Sequence, residues 1–551
     1  MLLKTVEFIQ HYVHIAADRT PLHFGYMVFP ALGMLISLLL VRYVIKDRIG
    51  HGVTKVLLAV SRSESRIKPH NMWSSLLTSA ITIGCGGSVG AEAPIVYTGA
   101  AMGSNLGKAF KLSHRGITIL LGCGAAGAIA GIFKAPLAGV LFTLEILLFN
   151  ISMSSMMPLL LSTVTATVVS MLFLGNHAPF ACVLVPFDMG NLPFYVVLGV
   201  FCGIFSLYFT HFTLWLEDKI GKNLRSRYVR WMACSLGLGL LIMLFPPLFG
   251  EGYDSLGALL SGEDVSLKSG TPLGFLMQSP WSLPIFFLLV LLLKVVSMTL
   301  TNSGGGVGGT FGPTLFEGAI VGFIVSRSFN LCGLALPEQN FVLVGMAGLM
   351  AGVMQAPMTA IFLIAEITGG YGLLLPLILC ATVSYGVTRT REKYSIYTKR
   401  IAQSGDLLTH DNDQSALAMM NLSELVRDKY PHLSSGRMLG EIRDVIAEST
   451  AAVFPVLDDA GKFEGMVEMD DIRKYLFDAG SMQSLSVSDV MHAPPVYIYA
   501  DEKPDSVMLK FDRTGAWRLP VIDRDGVYKG FISRSRILMA YRKELKQLTE
   551  D

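Results

Sequence analysis

The feature that most limits how this chain can fold is a series of apolar segments, broken by glycine and proline, from Met27 to about residue 388. Met27 to Ile45 is close to the ~20 residues one membrane span needs. Its one charge, Arg42, lies near the end, where a long side chain can snorkel to the interface. Further apolar segments lie at about 117–149, 156–174, 191–215, 231–249, 281–300, 315–336, 341–367 and 371–388. Several are too short or too broken for simple spans. Discontinuous helices are tolerated in a bilayer only where backbone is buried or lines a cavity, and they recur at transport sites near the midplane. With 52% hydrophobic residues and a mean hydropathy of +0.52, the chain carries more apolar surface than one soluble core buries.

Charge divides the chain. Residues 1–400 hold 26 Lys+Arg and 17 Asp+Glu, whereas residues 401–551 hold 18 and 25. The first part reads as embedded in a lipid bilayer, the second as a soluble acidic domain. Residues 1–26 are of mixed polarity (Glu7, His11, His14, Asp18, Arg19) and read as an N-terminal cytoplasmic segment rather than a signal peptide. The basic loop from Arg62 to His70 favours the cytoplasmic side. The seven cysteines are scattered through apolar segments without a CxxC pair, so they read as small buried hydrophobes. No metal site, catalytic constellation or nucleic-acid surface is expected.

Internal repeats organise both parts. Ala126–Leu137 lies beside Ala347–Met358 at an offset of 221, and the copies end in Glu145-Ile146 and Glu366-Ile367. Gly90-Ala91-Glu92-Ala93-Pro94 lies beside Gly309-Thr310-Phe311-Gly312-Pro313 at an offset of 219. The membrane part is therefore two related halves, about 50–180 and 270–390, of the kind that often have inverted topology with substrate at their interface. In the tail, Phe454-Pro455-Val456-Leu457-Asp458 matches Leu519-Pro520-Val521-Ile522-Asp523 at an offset of 65. Each tail copy reads as strand, turn, strand, helix.

The stretch Gly84–Pro94 carries one carboxylate, Glu92, just ahead of a helix start marked by Pro94. A soluble protein would use such a residue as a cap. At membrane depth an ionisable residue marks an ion or proton pathway. The repeat-related Glu145 and Glu366 read as structural groups at helix ends.

These residues resemble the CLC family of chloride channels and proton/chloride antiporters over about residues 27–400, and the tail (401–551) resembles a tandem pair of CBS domains at about 430–480 and 486–545. Gly50-His51-Gly52-Val53-Thr54 takes the place of the family's Gly-Ser-Gly-Ile-Pro, Gly90–Pro94 that of Gly-Lys/Arg-Glu-Gly-Pro, and Gly309–Pro313 fits Gly-x-Phe-x-Pro. The resemblance implies an all-α, multi-span membrane domain of two inverted repeats with an α/β CBS pair, a homodimer with one anion pathway per subunit, and cytoplasmic termini. It implies Glu92 as the gate and His51, Gly309, Thr310, Phe311 and Tyr394 as anion-binding residues. Backbone N–H groups at helix N-termini suit a halide because they replace water without a full positive charge, so binding stays reversible. Tyr394 would add a neutral hydroxyl donor.

Three departures bear on mechanism. His51 replaces the coordinating serine and offers a ring N–H or only its backbone amide. Ala91 and Ala93 replace the basic residue and glycine beside the gate. Ile146 stands where many antiporters carry the internal proton-transfer glutamate, with Glu145 retained before it. The expected function is chloride transport as a channel gated by Glu92, with proton/chloride antiport as the alternative. A fluoride exporter and a CBS nucleotide-regulated transporter are weaker alternatives. For an adenine nucleotide in the tail, Asp471 and Ser533 are the candidate contacts, although neither CBS copy has the full residue pair.

Overall fold

The structure, a computed structural model, describes residues 2–18, 25–47, 52–62, 65–147, 153–175, 185–261, 279–404, 420–427, 430–475 and 478–549. The chain forms two compact units, Met1–Leu407 and Leu408–Asp551.

The first unit is helical: α1 (Leu2–Asp18), α2 (Gly25–Leu39, continued by a wider turn to Ile45), α3 (Gly52–Arg62), α4 (Ser74–Gly84), α5 (Glu92–Ala109), α6 (His114–Phe133), α7 (Pro136–Glu145), α8 (Met153–Leu174), α9 (Leu192–Asn223), α10 (Arg227–Leu244), α11 (Tyr253–Ser261), α12 (Ser282–Ser303), α13 (Phe311–Leu331), α14 (Glu338–Met354), α15 (Pro357–Ile367) and α16 (Leu374–Arg389). Among the described residues, six helices are long and apolar enough to cross a membrane, and shorter apolar helices lie between them.

The apolar run 117–149 is broken into α6 and α7, and the run 341–367 into α14 and α15. The breaks are repeat-equivalent. Lys134 (φ 55°) and Gln355 (φ 53°) each adopt the left-handed conformation, and each is followed by Ala-Pro with proline opening the next helix.

The two halves are tied across their symmetry axis by reciprocal contacts. Gly90 N–H donates to the Gly309 carbonyl at 2.9 Å and Gly309 N–H to the Gly90 carbonyl at 2.7 Å, as an antiparallel bridge between repeat-equivalent residues. The Glu145 carboxylate accepts from Met358 and Thr359 N–H (3.0 and 2.7 Å) at the start of α15. Its equivalent Glu366 accepts from Leu137 and Ala138 N–H (3.1 and 2.9 Å) at the start of α7. Each half thus supplies the anionic cap for a helix N-terminus of the other, satisfying N–H groups that no helical carbonyl can reach. Packing repeats too. A Cβ on Gly99 of α5 would lie 2.2 Å from the Gly124 carbonyl oxygen of α6, and one on the equivalent Gly318 would lie 2.5 Å from that of Gly345. Small residues at such crossings let helix backbones approach, which is how helices associate in lipid.

In the second unit, β1 (Val453–Leu457) pairs antiparallel with β2 (Phe463–Glu468). In the second copy, β3 (Ile498–Tyr499) runs parallel to β4 (Arg518–Ile522), which pairs antiparallel with β5 (Tyr528–Ser533). The offset of 65 reappears in the bonding. Leu433 bridges Val456 in parallel, as Ile498 pairs with Val521. Arg427 bridges Phe531 while His492 bridges Met466, so the segment leading into each copy pairs with the β-strand of the other. The copies form one interlocked body with separate small cores around Phe454 and Val456 and around Leu519 and Val521.

Candidate anion site and gate

Three helix N-termini meet in the first unit. Gly90 and Gly309, bridged to each other, lead into α5 and α13. Gly52, the first residue of α3, lies so close that a Cβ there would be 2.3 Å from the Ala93 carbonyl oxygen. Proline at 94 and 313 removes an N–H that no helical carbonyl would accept at these starts. N–H groups left free at such ends form an electropositive cradle.

The Glu92 carboxylate lies in this cradle, 2% exposed. Its Oε2 accepts from Gly312 N–H at 3.1 Å, at the N-terminus of α13. A Cβ on Gly90 would lie 2.3 Å from Oε2, and one on Gly312 3.1 Å from both carboxylate oxygens. The carboxylate is thus wedged between one glycine from each half, where a side chain would leave no room. Its Oε1 accepts from the Tyr253 hydroxyl at 2.6 Å. Protonation of the carboxylate would weaken both bonds that hold it.

Gly309, Thr310 and Phe311 are all at this junction. Phe311 points away into the core against Phe133 and Phe142, with ring centroids at 5.6 and 6.2 Å, so only its backbone faces the N-terminus. His51, with Gly50, lies outside the described residues.

Tyr394 is not brought to the junction. It is half-buried, with the Lys393 ammonium over its ring at 5.5 Å. Tyr397, one turn later, is there instead. It is 3% exposed, its hydroxyl accepts from the Thr310 hydroxyl at 3.1 Å, and its carbonyl accepts from Thr54 of α3 at 3.4 Å. With Thr310 as donor to it, the Tyr397 hydroxyl keeps its own proton for another acceptor. The tyrosine hydroxyl bonded at this junction is that of Tyr397, whereas the sequence pointed to Tyr394. Both lie in Lys393-Tyr394-Ser395-Ile396-Tyr397, beyond the end of α16, where no helical period fixes which one turns inward.

Four further groups escaped sequence reasoning. In the link Gly250-Glu251-Gly252-Tyr253, which runs into α11, Glu251 Oε1 accepts from Ala91 N–H at 2.7 Å, one residue before Glu92, and Tyr253 bonds Glu92 itself. Gly250 (φ 58°) and Gly252 (φ 88°) give this link its tight course. Lys294 of α12 is fully buried and donates to the Gly250 carbonyl at 2.9 Å. Glu317 of α13 is 2% exposed, and its Oε1 has no hydrogen-bond partner. The signal was available: all three charges lie in or between apolar runs, as Glu92 does, and Glu251 stands between two glycines.

Ile146, at the position of the family's proton-transfer glutamate, is 3% exposed in the apolar core. In the tail, Asp471 Oδ2 accepts from Glu468 N–H at 2.8 Å, closing a capping box at the helix Met469–Arg473, and lies 3.2 Å from His492 Nε2. Ser533 Oγ accepts from Arg536 N–H at 3.3 Å, at the start of Arg534–Thr549. Both nucleotide candidates are thus engaged as helix caps.

Comparison with known proteins agrees with this architecture. The Voltage gated chloride channel family profile matches residues 33–389, and the CBS domain profile matches 422–478 and 487–543. A putative chloride channel protein ClcB-like of Ralstonia nicotianae is 29% identical over 403 residues, covering 71% of this chain and 89% of that protein. An H(+)/Cl(-) exchange transporter ClcA of Vibrio cholerae is 27% identical over 379 residues, covering 65% and 75%. The fold matches the crystal structure of a slow cyanobacterial Cl-/H+ antiporter with a TM-score of 0.61 at 23% identity, covering 73% of this chain and 92% of that one. It also matches a eukaryotic CLC transporter with a TM-score of 0.60 at 18% identity over 97% and 94%. The chain belongs to the voltage gated chloride channel (CLC) family of anion-transport proteins and carries a C-terminal pair of CBS domains.

Proposed function

We propose that the chain conducts chloride across a membrane through one pathway per subunit of a homodimer, as a channel gated by Glu92. The observation that carries this reading is the Glu92 carboxylate held by Gly312 N–H between Gly90 and Gly312, one glycine from each half. Ionised, it blocks the anion position; protonated, it releases the helix N–H groups to chloride. Backbone donors at Thr310 and Phe311 and the Tyr397 hydroxyl complete the anion shell beside the Gly90–Gly309 bridge, with His51 as a further donor expected from the sequence. Passive conduction is favoured by Ile146, which cannot carry a proton.

Proton/chloride exchange is the second reading, favoured by Glu92 itself and by the relatives named as exchangers. Vesicles under a chloride gradient separate the two: chloride flux without proton movement supports the channel, and uphill proton movement overturns it. A halide series including fluoride and nitrate tests chloride selectivity. The CBS pair serves as a cytoplasmic structural or dimerising unit of an integral protein of the cell membrane. Heat on titrating the full chain with ATP, ADP or AMP would instead make it a nucleotide sensor.

A further inference from the structure

A cavity of about 600 Å³ opens where α9 ends, α10 begins and α12 ends, with Lys399 on its remaining side. None of the residues that line it bonds Glu92 or Tyr397. Its size is that of a small-ligand site. Both α9 and α10 are long and apolar enough to cross a membrane, and residues 224–226 join them, so the joined ends lie at a bilayer surface. The side chains there suit a lipid–water boundary. Trp215 is exposed, with the Lys219 ammonium 4.6 Å from its ring centroid, and Tyr228 is exposed in the first turn of α10. Met232, Leu236 and Leu240 continue along α10 as an exposed apolar ridge, one at every fourth position.

The polar lining leaves opposite charges unpaired. Lys399 and His211 are engaged, since both bond Glu392 Oε1, at 2.7 and 2.6 Å. Arg230 of α10 and Asp218 of α9 are not. Among the described residues neither side chain has an ion pair or a hydrogen bond, and although both line the cavity they do not bond each other. Glu217 lies on the same negative side. Asn302 Nδ2, near the end of α12, is buried without an acceptor. A buried donor left so costs free energy unless a ligand satisfies it. An unmatched cation and an unmatched anion on neighbouring helices suit a ligand that carries both signs.

We infer that this cavity takes the headgroup of a zwitterionic phospholipid with a primary ammonium, as in phosphatidylethanolamine. The Arg230 guanidinium and the Asn302 amide donate to the phosphate, the ammonium donates to Asp218, and the acyl chains lie along the ridge of α10. Basic pockets between membrane helices are known to hold phospholipid headgroups, and here the acidic wall adds the selection. A purely anionic headgroup leaves Asp218 without a donor, and a choline headgroup has no N–H to give it.

The test is native mass spectrometry of the delipidated full chain in detergent, titrated with phosphatidylethanolamine, phosphatidylcholine or phosphatidylglycerol of the same acyl chains. Phosphatidylethanolamine is expected to bind about tenfold or more tighter than either of the others, because each of these lacks one hydrogen bond between charged groups. Arg230→Gln is expected to weaken phosphatidylethanolamine by about tenfold, and Asp218→Asn to bring it level with phosphatidylcholine. Asp218 is exposed and Arg230 half-buried, and unfolding temperatures in lipid-free detergent check that both variants fold. Should Arg230→Gln fail to fold, Asp218→Asn carries the test alone. Equal affinity for the three lipids, tighter binding of phosphatidylglycerol, or an unchanged preference in the folded variants overturns the assignment. Free phosphoethanolamine separates a lipid from a soluble ligand. It is expected to leave the bound lipid in place at equal concentration, and displacement would overturn the lipid site. None of these readouts depends on chloride flux.

Discussion

Tyr253→Phe isolates the bond that holds the gate shut. The substitution keeps the ring and removes only the hydroxyl that donates to Glu92 Oε1 at 2.6 Å. Hydrogen bonds to charged groups contribute about 1.5–3 kcal/mol, about twice a neutral one. The bond exists at full strength only while Glu92 is ionised, so its loss destabilises the closed gate relative to the protonated one. At 1.36 kcal/mol per pH unit, half-maximal chloride flux should move toward higher pH by about 1–2 units. The remaining donor, Gly312 N–H at 3.1 Å, keeps the carboxylate in the cradle, so the pH response is displaced and not abolished. The assay is chloride efflux from proteoliposomes across a symmetric pH series, with wild type and Glu92→Gln run beside the variant. A displacement below about 0.3 unit, less than the weakest net hydrogen bond would give, would refute the argument that Tyr253 holds the ionised gate.

The remaining predictions concern the anion shell, the packing and the tail. Tyr397→Phe should weaken chloride binding by about 1 kcal/mol, one neutral hydrogen bond, whereas Tyr394→Phe should leave it unchanged; titration of flux against chloride concentration checks both. Gly99→Ala places a methyl 2.2 Å from the Gly124 carbonyl oxygen and should cost about 1–3 kcal/mol, read as a lower unfolding temperature in detergent. Gly257→Ala in α11, with nothing near its Cβ, is the matched control and should not destabilise. In the tail, burial pushes the Glu502 carboxyl up, but bonds from Lys510, Ser506 and the Tyr499 N–H outweigh it and hold the carboxyl below its usual range. A depressed folded-state value adds stability above the ordinary carboxylate range, lost as pH falls through the lowered one. Lys510→Met should therefore flatten the acid-side loss of tail stability in full-chain melts.

The sequence showed most clearly what symmetry repeats. Offsets of 221, 219 and 65 reappear as the caps of Glu145 and Glu366, the bridge between Gly90 and Gly309, and the crossed pairings of Arg427 and His492. A repeat is legible because one local rule acts twice. The structural reading of Glu145 and Glu366 follows from the same pairing, since each carboxylate has a helix N-terminus waiting in the other half. Tyr397 was not legible, because it follows the last membrane helix without a repeat partner or a period to orient it. Glu251, Lys294 and Glu317 come from three separate elements, and nothing local in the sequence says that they converge. Each was nonetheless conspicuous singly, as a charge in apolar surroundings. What the fold adds is that Lys294 bonds the carbonyl of Gly250 beside Glu251 and stands over the ring of Phe316 beside Glu317, and that Glu251 holds Ala91 N–H next to Glu92.

Chloride flux through reconstituted wild-type and Glu92→Gln protein, measured across a pH series with proton movement recorded in the same vesicles, tests Glu92 as the gate in one measurement. The account predicts wild-type flux that rises as pH falls, and Glu92→Gln flux that is open at every pH, because an amide fills the same space without charge. A Glu92→Gln protein whose flux follows pH as the wild type does would contradict it.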